Sequence, residues 1–320
     1  VLNTQSPSTP FQTLAQAGAR SAAQLWLQLG HAGAMADAPI STPKGPSALD
    51  LPGLTCGALS LSDIEGLPAE FARTAALAKT LGFGGVEVHA AHGFLLSQFL
   101  SPLFNTRTDA YGGSLPNRMR LVLDVVAAVR RAVGPLFPIG IKLNATDQLE
   151  GGFHEDEALA LIAALDKTGL DLIDISGGTY FPGVVSTSDR AGSGPYFLEF
   201  ARRARTKTTR PLMVTGGFKT LHQAEAAITE GQADLVGLAR ALILDPDLPR
   251  KWETGRNPEP AFPRFRDPPE GGVTAWYTMQ MTRIANGDRD LDPSELATAI
   301  AAYEARDQDR RAIWSKHFNE

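Results

Sequence analysis

Short apolar runs that alternate with longer amphipathic stretches, with glycine pairs closing the later runs, predict an α/β chain folded as a TIM (β/α)8-type barrel. The competing layout is a doubly wound dinucleotide-binding sheet, which requires G-x-G-x-x-G directly after a strand. Here the nearest candidate, Gly82, Gly84 and Gly85, precedes its strand and reads as a helix cap with a tight strand entry. No G-K-[ST] phosphate loop occurs. The 320 residues suit one barrel plus an extension, and 43% hydrophobic residues against 20% charged ones can fill a large core.

Residues 1–21 form a lead-in segment to a barrel spanning residues 22–249. Strands are expected at residues 25–28, 85–89, 138–142, 172–176, 212–215 and 235–238. Each is a brief apolar run, mostly without polar alternation, as in parallel strands buried on both faces. Helices are expected at 62–80, 117–133, 155–167, 195–206 and 221–230. The first carries Asp63 and Glu65 near its start, where the helix dipole favours anions. In the second, Leu121, Val125 and Val129 recur at helical spacing, and Arg130 and Arg131 lie in the last turn. Beyond about Asp245, Pro258, Pro260, Pro263, Pro268 and Pro269 break the pattern. Helices at 274–285 and 294–314 complete an extension, residues 250–320, packed on or beside the barrel. Its Trp276, Tyr277 and Trp314 suit an internal core better than a subunit contact, which leaves a homo-oligomer open.

Composition removes several function classes. With 30 Lys and Arg against 35 Asp and Glu, the net charge is −5, and no basic field exists to hold nucleic acid. The lone Cys56 excludes a disulfide framework and any multi-cysteine metal site. No apolar run reaches the roughly 18 residues of a membrane span. The sequence starts at Val1 with no leader pattern, so a front end that is processed or shortened, and a cytoplasmic location, are expected.

The strongest chemical feature is His89-Ala90-Ala91-His92-Gly93-Phe94 at the end of the second strand. Two imidazoles leaving a strand on the catalytic side of a barrel can both hydrogen-bond one carbonyl or phenolate oxygen and stabilise charge developing on it. A satisfied core histidine beside a loop histidine explains the pair equally well. A metal site has less support, because no third His, Cys or carboxylate stands at ligand spacing.

The stretch from His89 to Arg118 then narrows the choice. It continues Gln98-Phe99-Leu100-Ser101-Pro102, Asn105, Arg107, Asp109, Tyr111-Gly112-Gly113-Ser114 and Asn117-Arg118. This resembles the Old Yellow Enzyme family of FMN-dependent oxidoreductases, whose motif H-x-x-[NH]-G-Y-L-x-x-Q-F-L-S-P-x-x-N-x-R-x-D-x-Y-G-G-S-x-x-N-R is matched at nearly every fixed position. The resemblance extends over most of residues 25–249.

It implies that Gln28, in Gln28-Leu29-Gly30-His31-Ala32-Gly33, hydrogen-bonds the pyrimidine edge of FMN. Lys142 stands where the family has Arg or Lys and is expected to meet negative charge on the reduced flavin. Gly216, Gly217, Gly237 and Arg240, at the ends of the last two strands, match the phosphate site that such barrels build there. The implied activity passes hydride from NAD(P)H through FMN to an activated alkene, quinone or nitro compound in ping-pong turnover, with His89 and His92 holding the acceptor's oxygen.

Two departures from the family pattern stand out. Phe94 replaces a tyrosine that delivers a proton, leaving that role to Tyr180 or water, and Ala34 replaces a frequent arginine. The family also has about two β/α units, on the order of 80–90 residues, ahead of the Gln28 strand. Residues 1–21 are too short to supply them, so a barrel incomplete at its N-terminus is expected. The alternative functions are a non-catalytic flavin-binding barrel and, further off, a metal-dependent hydrolase built on His89 and His92.

Overall fold

Residue parity along the strands decides which face of this sheet is apolar. The computed structural model describes residues 2–20, 23–181, 194–288 and 296–318. Helix α1 (Ser8–Ala19) leads into β1 (Trp26–Leu29), followed by a small sheet of β2 (Lys44–Gly45), β3 (Leu49–Leu51) and β4 (Leu54–Ala58) in the order β2-β4-β3. After α2 (Leu61–Thr80) come β5 (Gly85–Ala90), α3 (Leu95–Leu100) and α4 (Leu115–Val133). Strand–helix pairs continue with β6 (Ile139–Asn144) and α5 (Glu155–Leu165), then β7 (Leu172–Ser176) and α6 (Leu198–Arg205). They end with β8 (Leu212–Thr215) and α7 (Leu221–Thr229), then β9 (Leu235–Gly237) and α8 (Arg240–Leu244). Helices α9 (Leu248–Glu253), α10 (Gly272–Ala285) and α11 (Leu296–Phe318) follow.

Strands β1, β5, β6, β7, β8 and β9 pair in that order, all parallel. The described residues thus hold six of the eight strands that close a TIM barrel, with β1 and β9 as edges. The fold class expected from the sequence is the one observed, an incomplete α/β barrel. Two strands keep their expected bounds, and the others shift by one or two residues.

The reading of these strands as unalternating is corrected. Val86, Val88, Ile139, Ile141, Leu143, Ile173, Ile175, Leu212 and Val214 are fully buried on one face. The opposite parity carries Gln28, Glu87, His89, Lys142, Asn144, Asp174, Ser176 and Thr215. Side chains alternate faces along a strand, so the apolar set packs under the helices and the polar set lines the inner face. Ahead of β1, Leu2 and, on α1, Ala15 join the main core.

Other elements stabilise the ends of the sheet. At the start of α2, Ser60 Oγ accepts from the Asp63 amide and Asp63 Oδ2 accepts from the Ser60 amide, each at 3.1 Å, a reciprocal cap that satisfies two orphan donors. A second apolar cluster joins Ala34, Leu54, Cys56, Phe104 and Phe181, which come from the small sheet and from loops leaving the C-terminal strand ends. In the extension, fully buried Trp276 packs with Tyr277, Ala299, Leu244 and Phe265, while Trp314 is half-buried. Arg311 of α11 reaches back to Asp37, with Nε donating to Oδ2 at 2.6 Å and Nη2 to Oδ1 at 3.0 Å.

Much of the His89–Arg118 motif is scaffolding. Buried Arg118 donates to the Leu100 and Gly113 carbonyls and pairs with Glu157, joining α3, α4 and α5. Arg107 pairs with Asp109 and donates to the Pro46 and Leu59 carbonyls, while Asn105 Nδ2 bridges the Phe99 and Tyr111 carbonyls. Replacing Arg118 with Ala removes the guanidinium from largely buried Glu157 and leaves the buried Leu100 carbonyl without its partner. Urea unfolding of Arg118→Ala is expected to show a loss of about 3–5 kcal/mol, with Arg118→Lys recovering only part of it.

Candidate active site

Register brings the chemistry into one row. His89 pairs with Lys142 across β5 and β6, and Lys142 pairs with Asp174 across β6 and β7, so all three side chains leave the same face near the C-terminal strand ends. The chain turns sharply after β5, and His92 returns to the row with its ring centroid 5.2 Å from that of His89. Phe94 lies 5.2 Å from His89 and Tyr180 5.6 Å from His92, centroid to centroid. The structure thus brings together the three residues expected to act on the substrate, and Tyr180 is half exposed at the rim.

His92 holds a left-handed backbone, φ 61°, which a non-glycine residue adopts only when its surroundings impose it. Asn144 imposes it: its Oδ1 accepts from the His92 amide at 3.0 Å, and its Nδ2 donates to Asp147 Oδ1 and the Gly178 carbonyl, each at 3.0 Å. The Tyr180 amide donates to the His92 carbonyl at 3.1 Å, coupling the β5 and β7 loops. His92 Nε2 lies 2.8 Å from Ser176 Oγ. Buried Gln98 ties the same loop to the β1 loop, donating to the Ala32 and Gly93 carbonyls and accepting from the Ala34 amide. Neither Asn144 nor Ser176 was singled out from sequence.

Burial sets the charge state of the pair. Desolvation, with Lys142 adding to it, pushes His89 down to about 4. Desolvation, then the His89 and Lys142 charges, pushes His92 down to about 3. Both rings are therefore neutral at pH 7, each with one N–H to give and no positive charge of its own. His89 Nδ1 is buried without a hydrogen-bond partner, which leaves its hydrogen bonding to Nε2.

Lys142 has an anionic partner within the protein, which the sequence reading assigned to the flavin alone. Its Nζ contacts Asp174 Oδ2, and Asp174 is only 1% exposed. Asp174 Oδ1 accepts from Thr215 Oγ1 at 2.8 Å. Gln28 Nε2 donates to Glu87 Oε2 at 2.5 Å, which leaves the amide oxygen and the second Nε2 hydrogen for a ligand. At the other end of the rim, Gly216 and Gly217 hold φ of 120° and 84°, backbone that glycine alone adopts readily. Gly237 closes β9 beside them, and the Arg240 guanidinium sits 4.9 Å from the Tyr277 ring centre, stacked on the extension. Among the described residues no group of three His, Cys, Asp or Glu is placed to hold a metal ion, and no helix is long and apolar enough to cross a membrane.

The donor set suits FMN. The Gln28 amide and the Lys142 ammonium could hold the hydrogen-bonding edge of a flat ring, and the glycine-closed ends of β8 and β9 with Arg240 could hold its phosphate. Thr179 Oγ1, buried without a partner, lies at the same end of the sheet.

A barrel sheet with neutral imidazoles and a paired lysine at its rim agrees with one class, the α/β-barrel flavin oxidoreductases. Within that class the chain belongs to the NADH:flavin oxidoreductase / NADH oxidase family, which it matches over residues 1–259. It is 43% identical over 204 residues to the NADH-dependent flavin oxidoreductase iliE of Neonectria sp. (strain DH2), a match covering 60% of this chain and 26% of that protein. Among solved structures, a 2-naphthoyl-CoA reductase–2-naphthoyl-CoA complex aligns with a TM-score of 0.74 at 28% identity, over 80% of this chain and 41% of that one. Morphinone reductase in complex with tetrahydroNAD aligns with a TM-score of 0.67 at 29% identity, over 81% and 74%. The chain spans about a quarter of the length of that iliE protein and about half the length of another curated relative that it matches, iccE of Talaromyces variabilis.

The lowered histidine values carry a stability signature. A folded-state value below the ordinary 6.5 means that the unfolded chain binds more protons, so stability falls as pH drops below about 6.5 and on through 4. Asp174, raised by burial, works in the opposite sense between its ordinary value and its folded one. Comparing wild type with His92→Gln isolates the histidine contribution. Urea midpoints measured from pH 7.5 to 4.5 are expected to fall less steeply in the variant, and parallel curves would contradict the assignment.

Proposed function

We infer that this chain is the flavin-binding barrel of an NAD(P)H-dependent oxidoreductase that reduces a small-molecule acceptor: an activated alkene, a quinone or a nitro compound. The observation that carries the reading is the His89–His92 pair, held neutral and side by side in register with Lys142. Family membership supports FMN and a reduced nicotinamide as its redox partners. When bound, FMN supplies two-electron transfer between the nicotinamide and the acceptor.

The chain's own residues do the rest. Gln28 Oε1 accepts from an N–H on the pyrimidine edge, and Lys142 presents a fixed positive charge beside that edge. Gly216, Gly217 and Gly237 let backbone approach the phosphate, and Arg240 neutralises it. His89 and His92 donate to the acceptor's oxygen, where negative charge accumulates as the acceptor is reduced. Donors that are already oriented stabilise that charge without reorganisation. Ser176 and Asn144 hold His92 in place, one through the ring and one through the backbone. Tyr180 Oη holds the proton that Phe94 cannot supply. Nicotinamide and acceptor share one rim, so they alternate there, and turnover is ping-pong. The lone buried Cys56 and the need for reduced nicotinamide agree with a cytoplasmic setting.

Reconstitution with FMN tests the reading. The visible flavin band of the bound cofactor is expected to bleach anaerobically with NADH or NADPH and to return on adding a quinone or enone. Bound FMN that fails to bleach supports the non-catalytic alternative instead. His89→Ala with His92→Ala should slow the return by about 100-fold or more while leaving the bleaching step nearly intact, since the pair acts on the acceptor. Phe94→Tyr should raise enone turnover by about tenfold or more and quinone turnover far less, because only the enone needs a positioned proton. Equal effects on both acceptors argue against the proton-donor account.

A further inference from the structure

We propose that Asp174 is a positioning residue that fixes and partly neutralises the Lys142 ammonium, so that the barrel's inner face sets how strongly the reduced cofactor is held. This rests on the functional reading above, in which Lys142 faces the flavin. Four neighbouring strands contribute one residue each to the arrangement. On β6, Lys142 contacts the carboxylate of its register partner Asp174 on β7. On β8, Thr215 donates its hydroxyl to the other Asp174 oxygen at 2.8 Å, which holds the carboxylate plane toward β6. On β9, Gly237 is the register partner of Thr215, and a Cβ there would overlap the Thr215 hydroxyl. Gly237 therefore has a use apart from any phosphate: its missing side chain is the space in which Thr215 orients Asp174.

Burial makes the arrangement consequential. Asp174 is almost wholly enclosed, and Lys142 is largely so. A carboxylate in such a place keeps its charge only beside a cation, and the cation's field at the rim is weakened by the same contact. Among the described residues, the other charged group that acts on Asp174 is Glu87 on β5, which is held by Gln28. Burial raises the Asp174 carboxyl from its ordinary range while Lys142 opposes the rise, as expected for a pair that shares one compensated charge. Removing the carboxylate would expose the full ammonium charge to the ligand, and the reduced cofactor, which carries the extra negative charge, would gain the most.

The test is the midpoint potential of bound FMN, measured by anaerobic titration against a reference dye. Asp174→Asn is expected to favour the reduced form at least tenfold, a rise of about 30 mV for a two-electron couple. Thr215→Val keeps the shape and both charges, so it should shift the potential upward by less. In a Lys142→Met background, Asp174→Asn should have no effect, because the buried carboxylate without its cation takes up a proton. An unchanged or lowered potential in Asp174→Asn, with FMN bound, overturns the proposal and leaves a merely structural ion pair. If that variant does not fold, an unchanged potential in Thr215→Val overturns it equally. A wild-type chain that takes up no FMN overturns the functional reading and this inference together.

Discussion

The register of three parallel strands is the constraint on which the site depends. Because β5, β6 and β7 pair without offset from His89 through Lys142 to Asp174, an imidazole, an ammonium and a carboxylate stand side by side on the inner face. A slip of one residue would turn all three toward the helices and place Val88, Ile141 and Ile173 at the rim instead. The fully buried apolar parity beneath α2, α4 and α5 prevents that slip. The hydrophobic core and the chemistry are thus two faces of one alternation, and the core's packing holds the polar residues where a ligand can reach them.

The long motif divides its labour unevenly. Its first third delivers His89 and His92, and most of the remainder stabilises the loop that carries them. Gln98 clamps the His92–Gly93 turn to the loop after β1, Asn105 closes the following loop on itself, and Arg118 locks the start of α4 to its neighbours. Holding His92 in a left-handed backbone needs this support. A rim residue in a sparsely populated conformation keeps a single orientation only when the surrounding hydrogen bonds leave no alternative.

The strands and most helices were legible because short apolar runs and helical spacing are strong signals in a parallel barrel. Gln28, His89, His92 and Lys142 were legible because they end such runs within a recognisable motif. Glu87, Asn144, Asp174 and Ser176 carry a weaker signal: V-E-V-H-A, I-G-I-K-L-N and L-I-D-I-S place them at alternate positions, the period that marks a strand's second face. Helix α1 carries a weak signal, since it opens on Ser8-Thr9-Pro10 and buries only Ala15. The strands of the small sheet are two to five residues long, too brief for periodicity to emerge. In the sequence Arg240 signals only its charge. Its stacking on Tyr277 depends on α10 folding back over α8, a long-range contact that no local pattern encodes.

The proposed orientation would put the polar edge of the cofactor ring at Gln28 and Lys142, the imidazoles over one face and the phosphate at the ends of β8 and β9. A crystal structure of the FMN-loaded protein measures this directly. The account predicts a pyrimidine N–H within hydrogen-bonding distance of Gln28 Oε1, a pyrimidine carbonyl within reach of Lys142 Nζ, and the reactive ring centre open toward His89 and His92. Finding the dimethylbenzene end against the imidazoles, or the ring bound away from the inner face, would contradict it.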